Sequence, residues 1–147
     1  MKKTITAIAL LLCCSRAYSH EARQFIEKYL QDLDKDAELA GYFVERPQFI
    51  FGHHIHIPDS SAEASIYVKD AQKRLGEQQY AKSVVESTKA LATIDDYSLI
   101  TFTLRRLKTD GKVLDRVCST FGVVHLTYGY KILSWQAVAP NKKGSCY

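Results

Sequence analysis

A single amphipathic stripe in the first quarter of the chain constrains the fold most. Apolar side chains recur there at i, i+3, i+4, i+7, i+8 and i+11, with charged and polar residues between them. This is the period of an α-helix with one buried face. The stripe consists of Ala22, Phe25, Ile26, Tyr29, Leu30 and Leu33. Such a helix must cover an apolar surface, so the rest of the chain has to supply one.

Two further helices are predicted after this stripe. A short one is expected from a cap at Asp34 to a stop near Gly41. A longer one is expected after residues 60–63, whose sequence Ser-Ser-Ala-Glu fits a capping box, and it should end at Gly76. The apolar face of this longer helix is expected to comprise Ala64, Tyr67, Val68, Ala71 and Leu75.

The remainder of the chain is predicted to be mostly strand. Two short strands at residues 48–51 and 55–57 flank a bend at Gly52-His53-His54. Longer strands follow, separated by turns at Asp110-Gly111 and Gly129, and β-branched residues favour a strand over a helix in the first of them. These strands are residues 80–91, 98–108, 113–128 (with a bend at Gly122) and 130–138. Helices followed by a run of antiparallel strands indicate the α+β class.

The start of the chain has the layout of a secretory signal peptide. Two lysines precede an apolar run over residues 5–14, and Ala17 and Ser19 place small residues at the −3 and −1 positions of a cleavage site. We therefore expect a signal peptide at residues 1–19, a domain at residues 20–140 and a polar C-terminal tail at residues 141–147. The protein is predicted to be periplasmic or secreted.

A lipid anchor is the alternative, and it is disfavoured. Lipoprotein signals carry a small residue before the modified cysteine, whereas Leu12 precedes Cys13 and Cys13 precedes Cys14. Removing 19 residues takes away three basic side chains and no acidic one, which leaves 17 basic against 16 acidic residues. This balance predicts no nucleic-acid binding, and no later apolar run is long enough to span a membrane.

Two cysteines remain after the predicted signal peptide. An oxidising compartment would permit Cys118 and Cys146 to form a disulfide. The alternative is that Cys118 is a small buried apolar residue and Cys146 is a free thiol. Sequence cannot choose between them, because pairing depends on the separation of the two Cα atoms.

Four segments carry a resemblance to a known superfamily. They are the opening helix at residues 25–30, the phrase Tyr-Phe-Val-Glu-Arg-Pro at 42–47, the hairpin at 109–112 and the closing strand at 129–135. In the order of these four segments, the chain resembles the nuclear transport factor 2-like superfamily. SnoaL-like proteins and ketosteroid isomerase belong to this superfamily and share its cone-shaped fold. The resemblance implies N-terminal helices packed on a strongly curved antiparallel sheet around a tapered cavity. The superfamily includes isomerases, dehydratases, hydrolases and transport adaptors, so the fold alone does not give a function.

The His-rich bend at residues 52–56 offers two candidate metal ligands. On a strand, His54 and His56 would face one side and could both bind a metal ion. A third ligand would have to be His125, Glu45 or Asp59, and none of them has a diagnostic spacing. No metal and no cofactor are therefore predicted.

Acid–base chemistry also lacks a matched pattern. Asp115 and Arg116 are adjacent on a predicted strand and should face opposite sides of the sheet, so a cross-strand ion pair with Arg105 or Arg106 is favoured. Asp59 is the carboxylate available for an isomerase-like base, but it precedes a helix cap. The tyrosines available as donors are Tyr42, Tyr67, Tyr80 and Tyr130. No catalytic residue is predicted.

The favoured function is binding of a small apolar or amphipathic molecule in the cone, without catalysis. The alternatives are a SnoaL-like isomerase, dehydratase or hydrolase that uses a pocket His or Asp, and a protein-interaction module. The residues predicted to bind the ligand are Tyr42, Phe51, His56, Tyr67, His125, Tyr130 and Trp135. A homodimer is predicted through the last strand if one of its faces, which bears Lys131, Leu133, Trp135 and Ala137, lies outward.

Overall fold

Two α-helices pack against one face of a six-stranded sheet in the part of the chain that the structure describes. The computed structural model describes the backbone of residues 3–35 and 37–147 and, within them, the side chains from Tyr18 onward. The α-helices are α1 (Lys3–Leu33) and α2 (Ser61–Gly76), and a 3₁₀ helix lies at Ala40–Tyr42. The strands are β1 (Phe43–Phe51), β2 (His54–His56), β3 (Tyr80–Ile94), β4 (Tyr97–Lys108), β5 (Val113–Leu126) and β6 (Gly129–Val138).

Helix α1 buries the stripe that the sequence predicted. Ala22, Ile26 and Tyr29 are fully buried, and Leu30 and Leu33 are nearly so. The predicted cleavage site after Ser19 falls within α1, and Met1 and Lys2 of the predicted signal peptide lie outside the described residues. None of the described helices combines the length and the hydrophobicity that a membrane crossing requires.

The predicted short helix from Asp34 to Gly41 is wrong. Among the described residues of that segment, only Ala40–Tyr42 are helical, in a single 3₁₀ turn. Asp34 does not cap a helix, because its carboxylate accepts hydrogen bonds from the Tyr80 hydroxyl (2.6 Å) and the Ser83 backbone amide (3.2 Å). The chain is therefore tied to β3 where the sequence suggested a helix start.

Helix α2 begins with the predicted cap. The Ser60 hydroxyl accepts a hydrogen bond from the Glu63 backbone amide (3.2 Å), and the Glu63 carboxylate accepts one from the Asp59 amide (2.8 Å). The reciprocal bond thus involves the residue before the cap, which still satisfies a free donor at the helix start. Ala64, Ser65 and Val68 form the buried part of the helix face.

The sheet has the order β2-β1-β6-β5-β4-β3. All neighbouring strands are antiparallel except β1 and β6, which are parallel. The prediction of a wholly antiparallel sheet is therefore wrong at this one pair. The last strand of the chain inserts beside the first one, and the long crossover through α2 and β3–β5 permits a parallel pairing that no hairpin could make.

The sheet bends where its strands contain extra residues. Register shifts occur at three places along the β3–β4 pair and at Gly122/Val123 in the β5–β6 pair, and such bulges increase local twist and curvature. The predicted bend at Gly122 coincides with the register shift in the β5–β6 pair. A Cβ atom there would lie 2.5 Å from the Ser134 hydroxyl oxygen and 2.8 Å from the Tyr97 hydroxyl oxygen, so a larger residue would require both side chains to move.

An aromatic core joins α1 to the concave face of the sheet. The Tyr29 ring is completely buried and meets the rings of Phe43, Phe121 and Trp135 edge-on, with centroids 5.6 to 5.9 Å apart. Phe102 contacts Phe121 in the same geometry at 5.8 Å. Edge-to-face pairs of this kind stabilise a core beyond the area that they bury.

The C-terminal tail lies across the opposite, convex face. Cys118 and Cys146 are joined by a disulfide, with their Cα atoms 5.4 Å apart. The Tyr147 hydroxyl donates to the Ser87 hydroxyl oxygen (2.8 Å), and the Lys89 ammonium lies 4.9 Å from the centre of the Tyr147 ring. The tail is thus anchored to both β5 and β3.

Cys146→Ser should lower the free energy of unfolding. The disulfide closes a loop with a sequence separation of 28 residues, for which chain-entropy estimates give a stabilisation of about 3–4 kcal/mol. Urea unfolding under oxidising conditions measures the difference. Wild-type protein with a reductant should match the variant, and an unchanged urea midpoint in both would contradict the prediction.

Candidate functional site

A cavity of about 510 Å³ lies between the helices and the concave face of the sheet. Its walls are mainly apolar, which is typical of sites for small molecules. The helices contribute Leu30, Leu33, Val68, Ala71 and Leu75. The strands contribute Phe51, Leu104, Val117, Trp135 and Ala137.

The helical wall follows from the spacing along α2. Val68, Ala71, Gln72 and Leu75 recur at i, i+3, i+4 and i+7 and therefore share one face. Ala71 is small, so it leaves volume that a larger side chain would fill. The Gln72 side-chain amide donates to the Leu33 backbone oxygen (2.7 Å), which satisfies a carbonyl at the end of α1 and fixes the two helices together.

Alternation along β5 and a bulge in β6 form the strand wall. Asp115, Val117 and Ser119 are spaced by two residues and line the same side. In β6, Ile132 pairs with Val123 and Ser134 pairs with Gly122, so Leu133 is the extra residue.

This bulge shifts the alternation of β6. Trp135 and Ala137 line the cavity, whereas Leu133 is exposed and the Lys131 ammonium donates to the Gly41 backbone oxygen. The four residues predicted to form one outward dimer face are therefore divided between the two sides of the sheet. The condition for that dimer face, that all four residues lie outward, is not met, because strict alternation does not hold across a bulge.

Two buried polar atoms at the cavity lack partners among the described residues. They are the Ser119 hydroxyl oxygen and the Trp135 indole nitrogen, and Ser119 is only 1% exposed. An unsatisfied buried polar group costs about 1–3 kcal/mol. Ser119 and Trp135 thus place two unpartnered polar atoms just behind the surface of the cavity.

A charged pair lies on the cavity wall where β4 and β5 approach their hairpin. The Arg106 guanidinium donates to both oxygens of Asp115, from Nε (2.6 Å) and from Nη2. The favoured cross-strand ion pair is confirmed, since Arg106 and Asp115 are register partners. The neighbouring Arg116 instead donates to Glu86 (2.8 Å), which also lies 3.4 Å from Arg105.

Tyr80 and Asp34 form a second polar contact at the cavity's edge. The Tyr80 hydroxyl donates to the Asp34 carboxylate at 2.6 Å, and both Tyr80 and Ser83 line the cavity. Burial, together with this hydrogen bond, raises the pKa of Tyr80 well above its usual value. The phenol therefore remains protonated and acts as a donor.

The predicted ligand-binding residues fall into two groups in the structure. Phe51 and Trp135 line the cavity, with their ring centroids 5.1 Å apart. Tyr67 stacks on Phe51 with centroids 6.0 Å apart, and the exposed His56 stacks on Tyr67 at 4.2 Å. Tyr67 and His56 therefore extend from the cavity wall toward the surface.

The other group packs along α1, away from the cavity lining. Tyr42 donates to Asp32, Tyr130 donates to Glu21 (2.9 Å), and the His125 ring lies 4.6 Å from the Tyr130 ring. Burial raises the pKa of both Tyr42 and Tyr130, and their hydrogen bonds to carboxylates act in the same direction. The structure thus does not bring these three residues together with Phe51 and Trp135.

Sequence reasoning missed Ser119, Gln72 and the placement of Arg106–Asp115 at a cavity. Alternation along β5 could have grouped Asp115 and Ser119, since both lie on the face that carries Phe121. At the histidine bend, as elsewhere in the described part of the chain, no three His, Cys, Asp or Glu side chains are grouped so that they could hold a metal ion.

Comparison with known proteins identifies the family. Residues 20–140 match the family model described as NTF2-like protein (DUF6841). The chain therefore belongs to this family of nuclear transport factor 2-like proteins, and the resemblance in the sequence is confirmed. Among curated proteins, none matches the sequence significantly.

Solved structures show the same fold at low identity. An NTF2-like protein with a cystatin-like fold from Novosphingobium aromaticivorans has a TM-score of 0.66 and 15% identity, covering 92% of this chain and 88% of its own. An NTF2-like protein of unknown function from Pseudomonas putida KT2440 has a TM-score of 0.65 and 13% identity, covering 90% and 95%. A protein proposed to be an aromatic ring hydroxylase, from Novosphingobium aromaticivorans, has a TM-score of 0.61 and 11% identity, covering 81% and 86%. These similarities establish the cone fold.

Glu86→Gln should make stability less dependent on acid pH. The hydrogen bond from Arg116 holds the pKa of Glu86 below its usual value of 4.5. A carboxylate whose pKa is lowered by folding stabilises the protein above its unfolded pKa and loses that contribution as the pH falls through the folded value. Wild type should therefore be more stable than the variant at neutral pH, and the difference should shrink as the pH falls through the lowered pKa of Glu86.

Urea midpoints measured across this pH range test the expectation. Glu77→Gln is the matched control, because Glu77 is exposed and makes no ion pair with any described residue. A constant difference between wild type and Glu86→Gln at every pH would show that the ion pair is not the cause.

Proposed function

We propose that this protein binds a small apolar or amphipathic molecule in the cavity, without catalysing a reaction on it. The observation that carries the proposal is a 510 Å³ cavity with mainly apolar walls, which the polar side chains of Tyr80, Ser83 and Arg106 also line. Apolar walls provide affinity, and a few placed polar groups fix the orientation of a ligand.

The ionisable side chains around the cavity support binding rather than proton transfer. A general base needs a free carboxylate or imidazole within hydrogen-bond reach of the substrate. The Asp115 carboxylate is instead held by both Nε and Nη2 of Arg106, and Asp34 is occupied by Tyr80 and Ser83. Tyr80 keeps its proton because its pKa is raised.

We also propose that the protein is exported and cleaved after Ser19. The leader pattern supports this, and the disulfide between Cys118 and Cys146 is compatible with an oxidising compartment. Cleavage there leaves the buried stripe of α1, from Ala22 to Leu33, in the mature chain.

A homodimer would have to use a face other than the one described for β6. Native mass spectrometry of the purified protein would detect such a dimer.

The fluorescence of Trp135 should report binding directly. It is the single tryptophan of the chain and it lines the cavity, so a bound apolar molecule should change its emission. Titration with a saturated C12 alcohol, dodecanol, gives an affinity. Ala71→Phe should abolish or strongly weaken the response, because the larger side chain fills the space that Ala71 leaves.

Ala62→Phe is the control for this substitution. It places the same side chain on the same helix, but Ala62 is exposed and does not line the cavity. The proposal fails if apolar probes leave the Trp135 emission unchanged in wild type, or if both variants reduce the response equally.

Export can be checked from the mass of the product. Expression of the full chain in a bacterium should yield a periplasmic protein that begins at His20. Ser19→Leu should block processing, because signal peptidases require a small residue at the −1 position. An unprocessed wild-type chain, or a product with a lipid on Cys13 or Cys14, would contradict the proposal.

A further inference from the structure

We infer that the molecule bound in the cavity is an amphipathic anion, such as a long-chain carboxylate, whose head group is held by Arg106. This inference rests on the proposed function and adds the chemical class of the ligand. It comes from the charges that surround the cavity and from the donors that remain unused on one guanidinium.

Positive charge exceeds negative charge along the cavity lining. Three arginines line it, Arg74, Arg106 and Arg116, against one acid, Asp115. Arg116 is neutralised by Glu86, and Arg106 is paired with Asp115. Arg74, in the last turn of α2, has no acidic partner among the described residues, whereas the Asp34 carboxylate at the cavity's edge is bonded to the neutral groups of Tyr80 and Ser83. Arg74 and Arg106 are therefore the guanidinium groups of the lining that can still meet an anion.

Arg106 is oriented but not saturated. The Nε and Nη2 groups of Arg106 donate hydrogen bonds to Asp115. The remaining terminal nitrogen of Arg106, Nη1, has no hydrogen-bond partner in the described part of the chain. Its side chain is 21% exposed, so it is largely shielded from water yet still accessible. A guanidinium fixed in this way can donate to a second carboxylate, and the interaction is stronger than one between neutral groups.

The apolar part of the ligand has a continuous surface on which to pack. Leu104 lies on the same face of β4 as Arg106, two residues away, and Val117 is two residues from Asp115 on β5. Leu30, Leu33 and Val68 face them from the helices. A molecule with its head at Arg106 therefore directs its chain between the helices and the sheet.

Three probes with the same C12 chain separate charge from hydrophobicity. They are dodecanoate, dodecanol and dodecyltrimethylammonium, each titrated below its micelle concentration with Trp135 emission as the readout. We expect dodecanoate to bind most tightly and the cation most weakly. Arg106→Gln should weaken dodecanoate binding by about tenfold or more, as expected for loss of a charge-assisted hydrogen bond, and leave dodecanol binding unchanged.

Arg105→Gln is the matched control. It removes the same charge from the adjacent residue, whose side chain lies near Glu86 and is not part of the cavity lining. The affinity of the Arg105→Gln variant for dodecanoate should equal that of wild type.

Asp115→Asn gives an independent test with the opposite sign. It removes the negative charge that competes for Arg106, so dodecanoate should bind several-fold more tightly while dodecanol binding is unchanged. This variant keeps the side-chain size and remains informative if Arg106→Gln does not fold.

The outcomes distinguish this inference from the proposed function. If dodecanol, dodecanoate and the cation bind equally, or if Asp115→Asn fails to strengthen dodecanoate binding, the anionic class is wrong and the apolar site stands. If none of the three probes alters Trp135 emission, the cavity is not a binding site for such amphipaths and both conclusions are overturned.

Discussion

Packing of α1 into the concave side of the sheet is the contact on which the rest of the structure depends. Tyr29 is fully buried among aromatic residues of β1, β5 and β6, and it joins the first strand of the sheet to the last. One helix is too narrow to cover a six-stranded sheet, so α2 must cover the rest. The space between the two helices and the strands is the cavity, and Leu30 and Leu33 belong to both the core and its wall.

Features set by neighbouring residues could be predicted from the sequence, and features set by distant ones could not. The stripe of α1 depends on local periodicity and the Ser60 cap on local side-chain chemistry, and both are confirmed. The parallel pairing of β1 with β6 joins segments separated by most of the domain, and local pattern carries no information about it. Asp34 has good capping chemistry, but its two bonds to β3 decide its role.

The candidate site was harder to predict because a cavity is defined by missing volume. The aromatic side chains that the sequence offers for the site mostly fill space: Tyr42, His125 and Tyr130 pack along α1. The cavity forms instead where side chains are short, at Ala71, Ser119 and Ala137. Trp135 reaches it through a one-residue bulge in β6, a shift that no alternating pattern predicts. Residue type therefore indicated the composition of the walls but not their position.

The two faces of β5 carry an unpartnered polar group on one side and a covalent crosslink on the other. Ser119 faces the cavity with an unsatisfied hydroxyl, which is a local cost to stability. The residue before it, Cys118, faces the other way and is crosslinked to the tail, which is itself bonded to β3 through Tyr147. The crosslink thus stabilises the strand from its convex side and fixes the backbone that presents Ser119. The crosslink on the convex side of β5 therefore offsets part of the cost of the unpaired hydroxyl on its concave side.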